Sequence, residues 1–412
     1  MVRTLLLLLF SFTVGICVAQ NWWEASTNDH DRTSSLLERP KTQITIPVVV
    51  HVVWRTEEER LAVDRVASQI EVLNEDYRRL NLDIEDVHFA FQGVTADMEI
   101  NFVLATEDPE GQPHSGIVER QTSETNLAGF TGGRRRLCYN DLGGSTAWCT
   151  SCYLNIWVAD LNLDGVAGIG IFPTQIADGE VPADEDGVYI QPDRFGRSTN
   201  PEGPFDLGRT CTHEIGHYLN LLHLWGVETP PADCNDCCDN PAYDDFVDDT
   251  PFQVETHAGE CPGPFTNTCV TVPNDRPDNV QNFMGFGTDE CSLMFTEGQK
   301  VRVWDALQTY RPGFLLEDCR KACMVSTTDF AAEQTNLVLI RHNGGREPAL
   351  ETLVPGVDWE LYRVDGQLVK SGQQELMGTV PWNLLNIEQG LYLLRATHQG
   401  SWQTTKLFIA RN

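Results

Sequence analysis

Four residues in one short segment carry the chemistry. Residues 213–223 read HEIGHYLNLLH, with histidines at 213, 217 and 223 and a carboxylate at Glu214. On a helix, His213 and His217 project from one face, one turn apart. Both imidazoles can therefore reach a single ion. Glu214 sits beside the first of them, close enough to touch water at the metal without ligating it. A continuing helix would carry His223 roughly 120° round the axis from His217, because each residue turns the helix by about 100°. The helix must therefore end between them. Asn220 stands where a left-handed residue can end it; Gly is preferred there and Asn is the next choice. Three neutral histidines leave a fourth tetrahedral position open for water. Zinc lowers the pKa of such water from about 15.7 towards about 7. Glu214, as general base, then takes a proton and passes it to the leaving amine. These parts suffice to hydrolyse a peptide bond without a covalent intermediate. The competing reading is a catalytically weak or inactive zinc-binding surface adhesin. Glu214 separates the two, since a closed structural zinc site has no need of it. A carbohydrate-active enzyme would want a catalytic carboxylate pair, and spacing identifies none.

The elements that must hold this motif are legible in outline. A helix over about 207–221 carries it. Residues 44–54, ITIPVVVHVVW, form a β-branched run that predicts a buried strand. Val63, Val66, Ile70, Leu73 and Tyr77 recur at steps of three and four, which predicts an amphipathic helix within 59–80. Strands are expected near 98–105 and 153–160, and loops with short strands over 162–208. The stretch 226–293 is irregular and rich in Cys and Asp, and a stretch this long is usually functional. A last helix over about 296–309 is capped by Thr296 with Gln299 three residues on.

The first residues read as a signal peptide: Arg3, an apolar stretch to about Val18, and small residues that place cleavage after Ala19. That stretch is too short to anchor in a bilayer, and no other segment reads as transmembrane. Residues 20–43 read as a propeptide or linker. The chain is strongly acidic, 60 Asp+Glu against 29 Lys+Arg, for a formal charge of −31. Phosphates would repel it, which argues against nucleic acid and anionic membranes as partners. Of 13 cysteines, Cys17 leaves with the signal. An even number remains in an exported chain, so disulfides are the default, also for the C-x-x-C pairs Cys149/Cys152 and Cys234/Cys237.

The segment CTHEIGHYLNLLHLWG from Cys211 resembles the pappalysin branch of the metzincins. The resemblance spans about 44–315 and includes IPVVVHVVW, QIEVLNEDYRRLN, YLNIWVADL, DDFVDDTP and NFMGFGTDECSLMFTEGQ. It implies an α+β metzincin catalytic domain over 44–318: a twisted mixed sheet, an active-site helix, then an irregular Cys-rich subdomain. It implies that Met284 forms an apolar methionine turn under the histidines. Two residues on, the family usually has Tyr, available to the metal or the oxyanion; this chain has Phe286. Glu290, before Cys291, is placed by the resemblance in the pocket just after the scissile bond. A carboxylate there would attract Arg or Lys. The resemblance also pairs Cys261 with Cys291, and Cys269 with one of Cys234, Cys237 or Cys238. Cys319 and Cys323 are left open, to each other or elsewhere.

Asp244, Asp245, Asp248, Asp249 and Thr250 form an oxygen-rich loop whose carboxylates repel unless a cation binds; structural calcium suits it, and the resemblance implies calcium too. As a zymogen the chain lacks a propeptide cysteine, so a carboxylate such as Asp29 or Asp31 is the candidate blocking group. Arg134, Arg135 and Arg136 are a candidate processing site, with a surface loop as the alternative. Residues 325–412 lack cysteine and alternate in short strands, which predicts a small all-β sandwich. LYRVDGQLVKSG, GLYLLRA and the terminal TKLFIARN resemble the C-terminal sorting domain of the type IX secretion system of Bacteroidota. That implies the type IX machinery as a partner and passage through the outer membrane, with release or surface attachment. The protein is thus expected to be secreted or on the cell surface, acting on protein and peptide substrates.

Overall fold

The run Ile44–Trp54 forms strand β1, and Val48, Val49, Val50, Val52 and Val53 on it are each no more than 1% exposed. Burial on both faces is why it reads as continuously apolar rather than alternating. A computed structural model describes residues 43–316 except 164, 199–202, 227–229, 231–236, 239 and 271–275, then 319, 320, 323 and the strands between 338 and 409. The expected signal segment, Asp29, Asp31 and Cys234 lie outside the described residues.

β1 pairs in parallel with β2 (Ile100–Leu104) along its first half and with β3 (Ile117–Gln121) along its second. On its other edge runs β6 (Leu154–Val158), also parallel. Next come β8 (Val188–Ile190), parallel, and β7 (Gly168–Gly170), antiparallel, at the sheet's edge. The result is a six-stranded mixed sheet. A two-residue hairpin, β4 (Phe130–Thr131) and β5 (Arg134–Arg135), stands apart.

Three helices share one core with one face of the sheet. Val48, Val50, Val52, Ile156 and Ile190 meet Val66, Leu73 and Tyr77 of α1 (Val63–Tyr77). The same core holds Cys211, Ile215 and Tyr218 of α4 (Arg209–Tyr218), and Val303, Trp304 and Leu307 of α5 (Glu297–Thr309). The short helices α2 (Phe89–Gln92) and α3 (Pro173–Ala177) lie in connections. On the opposite face Val53, Trp157 and Tyr189 pack with Leu137 and Ile171. α1 covers the whole apolar periodicity from Val63 to Tyr77, and Arg79, left-handed at φ 53°, follows its end. The strand expected at 98–105 starts only at Ile100, after Glu99 at φ 61°.

Disulfides join Cys149 to Cys323, Cys152 to Cys319, Cys238 to Cys269, and Cys261 to Cys291. Cys319 and Cys323 therefore reach back across 167 and 174 residues rather than pairing locally. The expectation that all twelve cysteines of the mature chain pair is corrected by Cys138 and Cys211, which are buried free thiols. Each fills core space as a small apolar group. Opening the long staple by Cys152→Ser with Cys319→Ser should cost about 2–5 kcal/mol, read by urea unfolding. A loss under about 1 kcal/mol would show that packing and the neighbouring Cys149–Cys323 bond suffice to hold that end.

The chain divides after Met324. The second unit, Val325–Asn412, contains two antiparallel sheets. One has β9 (Val338–Arg341), β10 (Ala349–Thr352) and β13 (Gly378–Thr379); the other has β11 (Val357–Arg363), β12 (Leu368–Gln374), β14 (Gly390–His398) and β15 (Ser401–Ile409). Trp359 and Leu361 are buried within this unit.

Candidate active site and metal centre

The motif helix α4 has no local side-chain cap; its N-cap is Gly208 at φ 86°. A remote carboxylate serves instead. Asp289 Oδ2 accepts the backbone N–H of Leu207 at 2.8 Å and of Arg209 at 3.3 Å. A negative charge there also suits the helix dipole. Arg209 returns the bond to the Asp289 carbonyl at 2.7 Å and forks onto Asp83 at 2.6 and 2.8 Å. At the other end the helix stops after Tyr218, short of 221. Asn220 is left-handed, φ 73°. Its N–H donates to the His217 carbonyl at 2.9 Å, and the Leu221 N–H donates to the Gly216 carbonyl at 2.9 Å. That pair of bonds is a Schellman termination. It reverses the chain so that His223 returns to the helix face.

The three imidazoles meet. His217 Nε2 and His223 Nε2 are 3.0 Å apart, close to the ~3.3 Å between ligands about 2.05 Å from one tetrahedral zinc. Ligand atoms of His213, His217 and His223 all lie within 4.8 Å of one another, the only such set of three or more among the described residues. His213 Nδ1 hydrogen-bonds the Phe283 carbonyl at 2.7 Å, and His217 Nδ1 the Leu221 carbonyl at 2.8 Å. A carbonyl can only accept, so each Nδ1 carries its proton and each Nε2 is left free to ligate. Burial lowers His213 to about 4 and His217 to about 3, and drives His223 down as well. All three are thus neutral, the form a metal needs. The donor set fits zinc.

Glu214 is buried, and burial pushes its carboxyl up to about 8 while a Gly170 backbone N–H bond opposes the rise. Edge strand β7 lies directly on this residue. A Cβ on Gly170 would come within 2.1 Å of the Glu214 carbonyl and 2.9 Å of His217 Cβ. Only glycine lets the strand approach that closely. Beneath the histidines sits Met284, fully buried. Its Sδ would be 2.3 Å from a Cβ on Gly216, so the helix is bare where Met284 supports it. The turn is held by Asn282, whose Oδ1 accepts from the Met284 N–H at 2.9 Å and from Gln299 Nε2 at 3.0 Å. Gln299 belongs to the capping box of Thr296 on α5.

Aromatic rings wall the centre. Phe286 stands 4.6 Å from the His223 ring and 5.7 Å from His213, and Trp225 stacks on His223 at 4.9 Å. Phe172 contacts His217 at 5.0 Å. Neither Trp225 nor Phe172, nor Asp289 and the β7 glycines, carries a local pattern that marks it in the sequence; only the fold brings them in.

The calcium candidates do not converge as carboxylates. Asp249 caps α5, accepting from the Gly298 N–H at 2.8 Å and from the Thr296 hydroxyl. Asp248 is exposed. Asp245 is buried; its Oδ1 accepts from the Thr250 hydroxyl at 2.7 Å and its Oδ2 has no partner. Asp244 accepts from the Phe246 N–H at 3.0 Å. Glu290 is exposed beside the Cys261–Cys291 disulfide. Arg134, Arg135 and Arg136 are each engaged: Arg134 forks onto Asp141, Arg135 stacks on Tyr189, and Arg136 bonds Glu124 at 2.9 Å. All three side chains are thus partnered, in the β4–β5 hairpin and the turn after it.

Fold and site together define a metallopeptidase of the metzincin kind. The family described as pregnancy-associated plasma protein-A, peptidase M43, matches residues 139–308. Mature mirolysin of Tannerella forsythia, solved with a cleaved peptide, is 34% identical and superposes at TM-score 0.57 over 67% of this chain and 99% of that one. A promirolysin mutant from the same organism, also 34% identical, gives 0.58 over 69% and 85%. An extracellular metalloprotease of Arthroderma benhamiae is 27% identical over 290 residues, 69% of this chain and 79% of that protein. This chain belongs to the peptidase M43 family and is a metalloendopeptidase; the family implies a catalytic zinc.

Proposed function

We propose that the protein is an extracellular zinc endopeptidase in which His213, His217 and His223 hold the metal and Glu214 is the general base. The observation that carries this is the convergence of three neutral Nε2 atoms beside one buried carboxylate, beneath an open strand edge. When bound, zinc supplies a Lewis acid that polarises the scissile carbonyl and acidifies water. Glu214 accepts the proton and delivers it to the departing amine. β7 ends the strand order of its sheet, so an extended peptide can add to its outer edge across the mouth of the site. Met284 keeps the floor dry. The disulfides suit an oxidising, extracellular compartment. Zinc content and peptide cleavage, measured side by side for the mature protein and Glu214→Ala, test the assignment. Both should hold about one zinc, and only the wild type should cut.

Glu290 selects Arg or Lys after the scissile bond, because a carboxylate losing water needs a cationic partner. Glu290→Gln should lower kcat/KM for basic substrates by about tenfold or more, the scale of a charge-assisted bond, and leave apolar ones little changed. A peptide library in which the wild type shows no basic preference sinks this idea. Calcium in the 244–250 loop would use the unpartnered Asp245 Oδ2, the Thr250 hydroxyl and backbone carbonyls. Melting with and without calcium at saturating zinc tests it. The residues preceding β1 act as a propeptide, as the name of promirolysin says of that relative, and the second unit is a type IX sorting domain that directs export.

A further inference from the structure

The turn between His217 and His223 does two jobs. It delivers His223, and its Leu221 carbonyl fixes the tautomer of His217. One side chain from outside holds it. Arg302, on α5, donates from Nε to the Asn220 carbonyl at 2.6 Å and from Nη1 to the Asp245 carbonyl at 3.0 Å. The first acceptor is the left-handed residue on which the reversal depends. The second lies on the acidic loop, which also packs on the turn: a Cβ on Gly226 would be 2.9 Å from the Asp244 carbonyl. Guanidinium geometry suits this, because its N–H groups form a rigid planar fork that spans two fixed acceptors, and a single ammonium cannot. Among the described residues no other hydrogen bond reaches the Asn220 carbonyl, and a Schellman turn built on Asn rather than Gly carries a left-handed cost that an external anchor can offset.

We propose that Arg302 is a positioning residue for the third metal ligand, setting zinc affinity through His223 although it touches no ligand itself. This rests on the reading of the three histidines as the zinc site. Partners that orient ligands typically contribute about 10–100-fold in metal affinity.

The test is a double-mutant cycle on zinc affinity, measured by competition with a chromogenic chelator on the full chain, for wild type, Arg302→Met, His223→Ala and the double variant. Arg302→Met should bind zinc about tenfold or more weakly, and most of that loss should disappear in the His223→Ala background, leaving only the part that acts through the Leu221 carbonyl on His217. Arg302→Lys, which keeps the charge and reaches one carbonyl at a time, should fall between and serves if the Met variant does not fold. Cobalt-substituted Arg302→Lys should show the visible band of a perturbed tetrahedral site. If the loss is the same with or without His223, Arg302 acts on general stability and the proposal fails. Unchanged zinc affinity in both Arg302 variants also overturns it. If His223→Ala binds zinc as tightly as wild type, the ligand assignment fails instead, which is a distinct result.

Discussion

Glu214→Gln should lower kcat/KM by about 10²- to 10⁴-fold, the usual contribution of a positioned general base, with zinc content and fold retained. In barrier height that is roughly 3–5 kcal/mol. The amide keeps the shape of the carboxyl under β7. Its oxygen still accepts the Gly170 N–H that touches Glu214. What it loses is the ability to take a proton. The charge change has its own signature. Burial holds the Glu214 carboxyl up at about 8 when no metal is present, so near neutral pH it is mainly protonated. A dication placed beside it favours the carboxylate and pulls that pKa down. Zinc uptake by the wild type therefore releases a proton from Glu214, and the Gln variant has none to release there. Calorimetry in two buffers of different ionisation enthalpy should find the difference. Cleavage within tenfold of wild type would falsify the base assignment; the binding-protein reading would move ahead if neither form cleaved while both held zinc.

How much of this was legible beforehand follows from how local each signal is. His213, Glu214, His217 and His223 declare themselves because four-residue spacing on a helix is a statement about one face. Asn220 declares the turn for a similar reason: few residues tolerate φ 73°. Thr296 with Gln299 is a capping box in sequence and in structure. The resemblance placed Met284 and Phe286 against the histidines, where they are found, and paired Cys261 with Cys291. What stayed hidden is what depends on distant chain meeting. Asp289 caps α4 across 80 residues, Arg302 anchors Asn220 across 82, and neither has a pattern around it. Edge strand β7 was hidden because three residues with two glycines look like loop. The cysteine count suggested complete pairing, and it failed at two buried free thiols, Cys211 in the core and Cys138 against the Tyr189 hydroxyl at 3.3 Å. In the acidic loop 244–250 composition does not tell which carboxylates act together: the fold spreads their bonds over a helix cap and two tight turns.

Phe286→Tyr should raise kcat/KM by about tenfold or more. Phe286 packs edge-on against His223 at 4.6 Å and Trp225 at 4.8 Å, yet remains 37% exposed. The ring is thus held by its neighbours while part of it faces the open mouth, where a peptide would lie. Its companions on that wall, Trp225 and Phe172, are aromatic as well, so the wall supplies shape and dryness and no hydroxyl. Losing one donor to a developing oxyanion typically costs about 10²–10³ in kcat. Adding one to a site not selected around it should recover only part of that. The added oxygen also faces a single question that kinetics can answer. A donor used in the transition state raises kcat and leaves KM alone; a donor that only grips the substrate lowers KM alone. A hydroxyl that binds the metal instead would tighten zinc without raising kcat. No change in kcat, KM or zinc affinity would mean that another group already polarises the carbonyl, and that this site works without a hydroxyl at position 286.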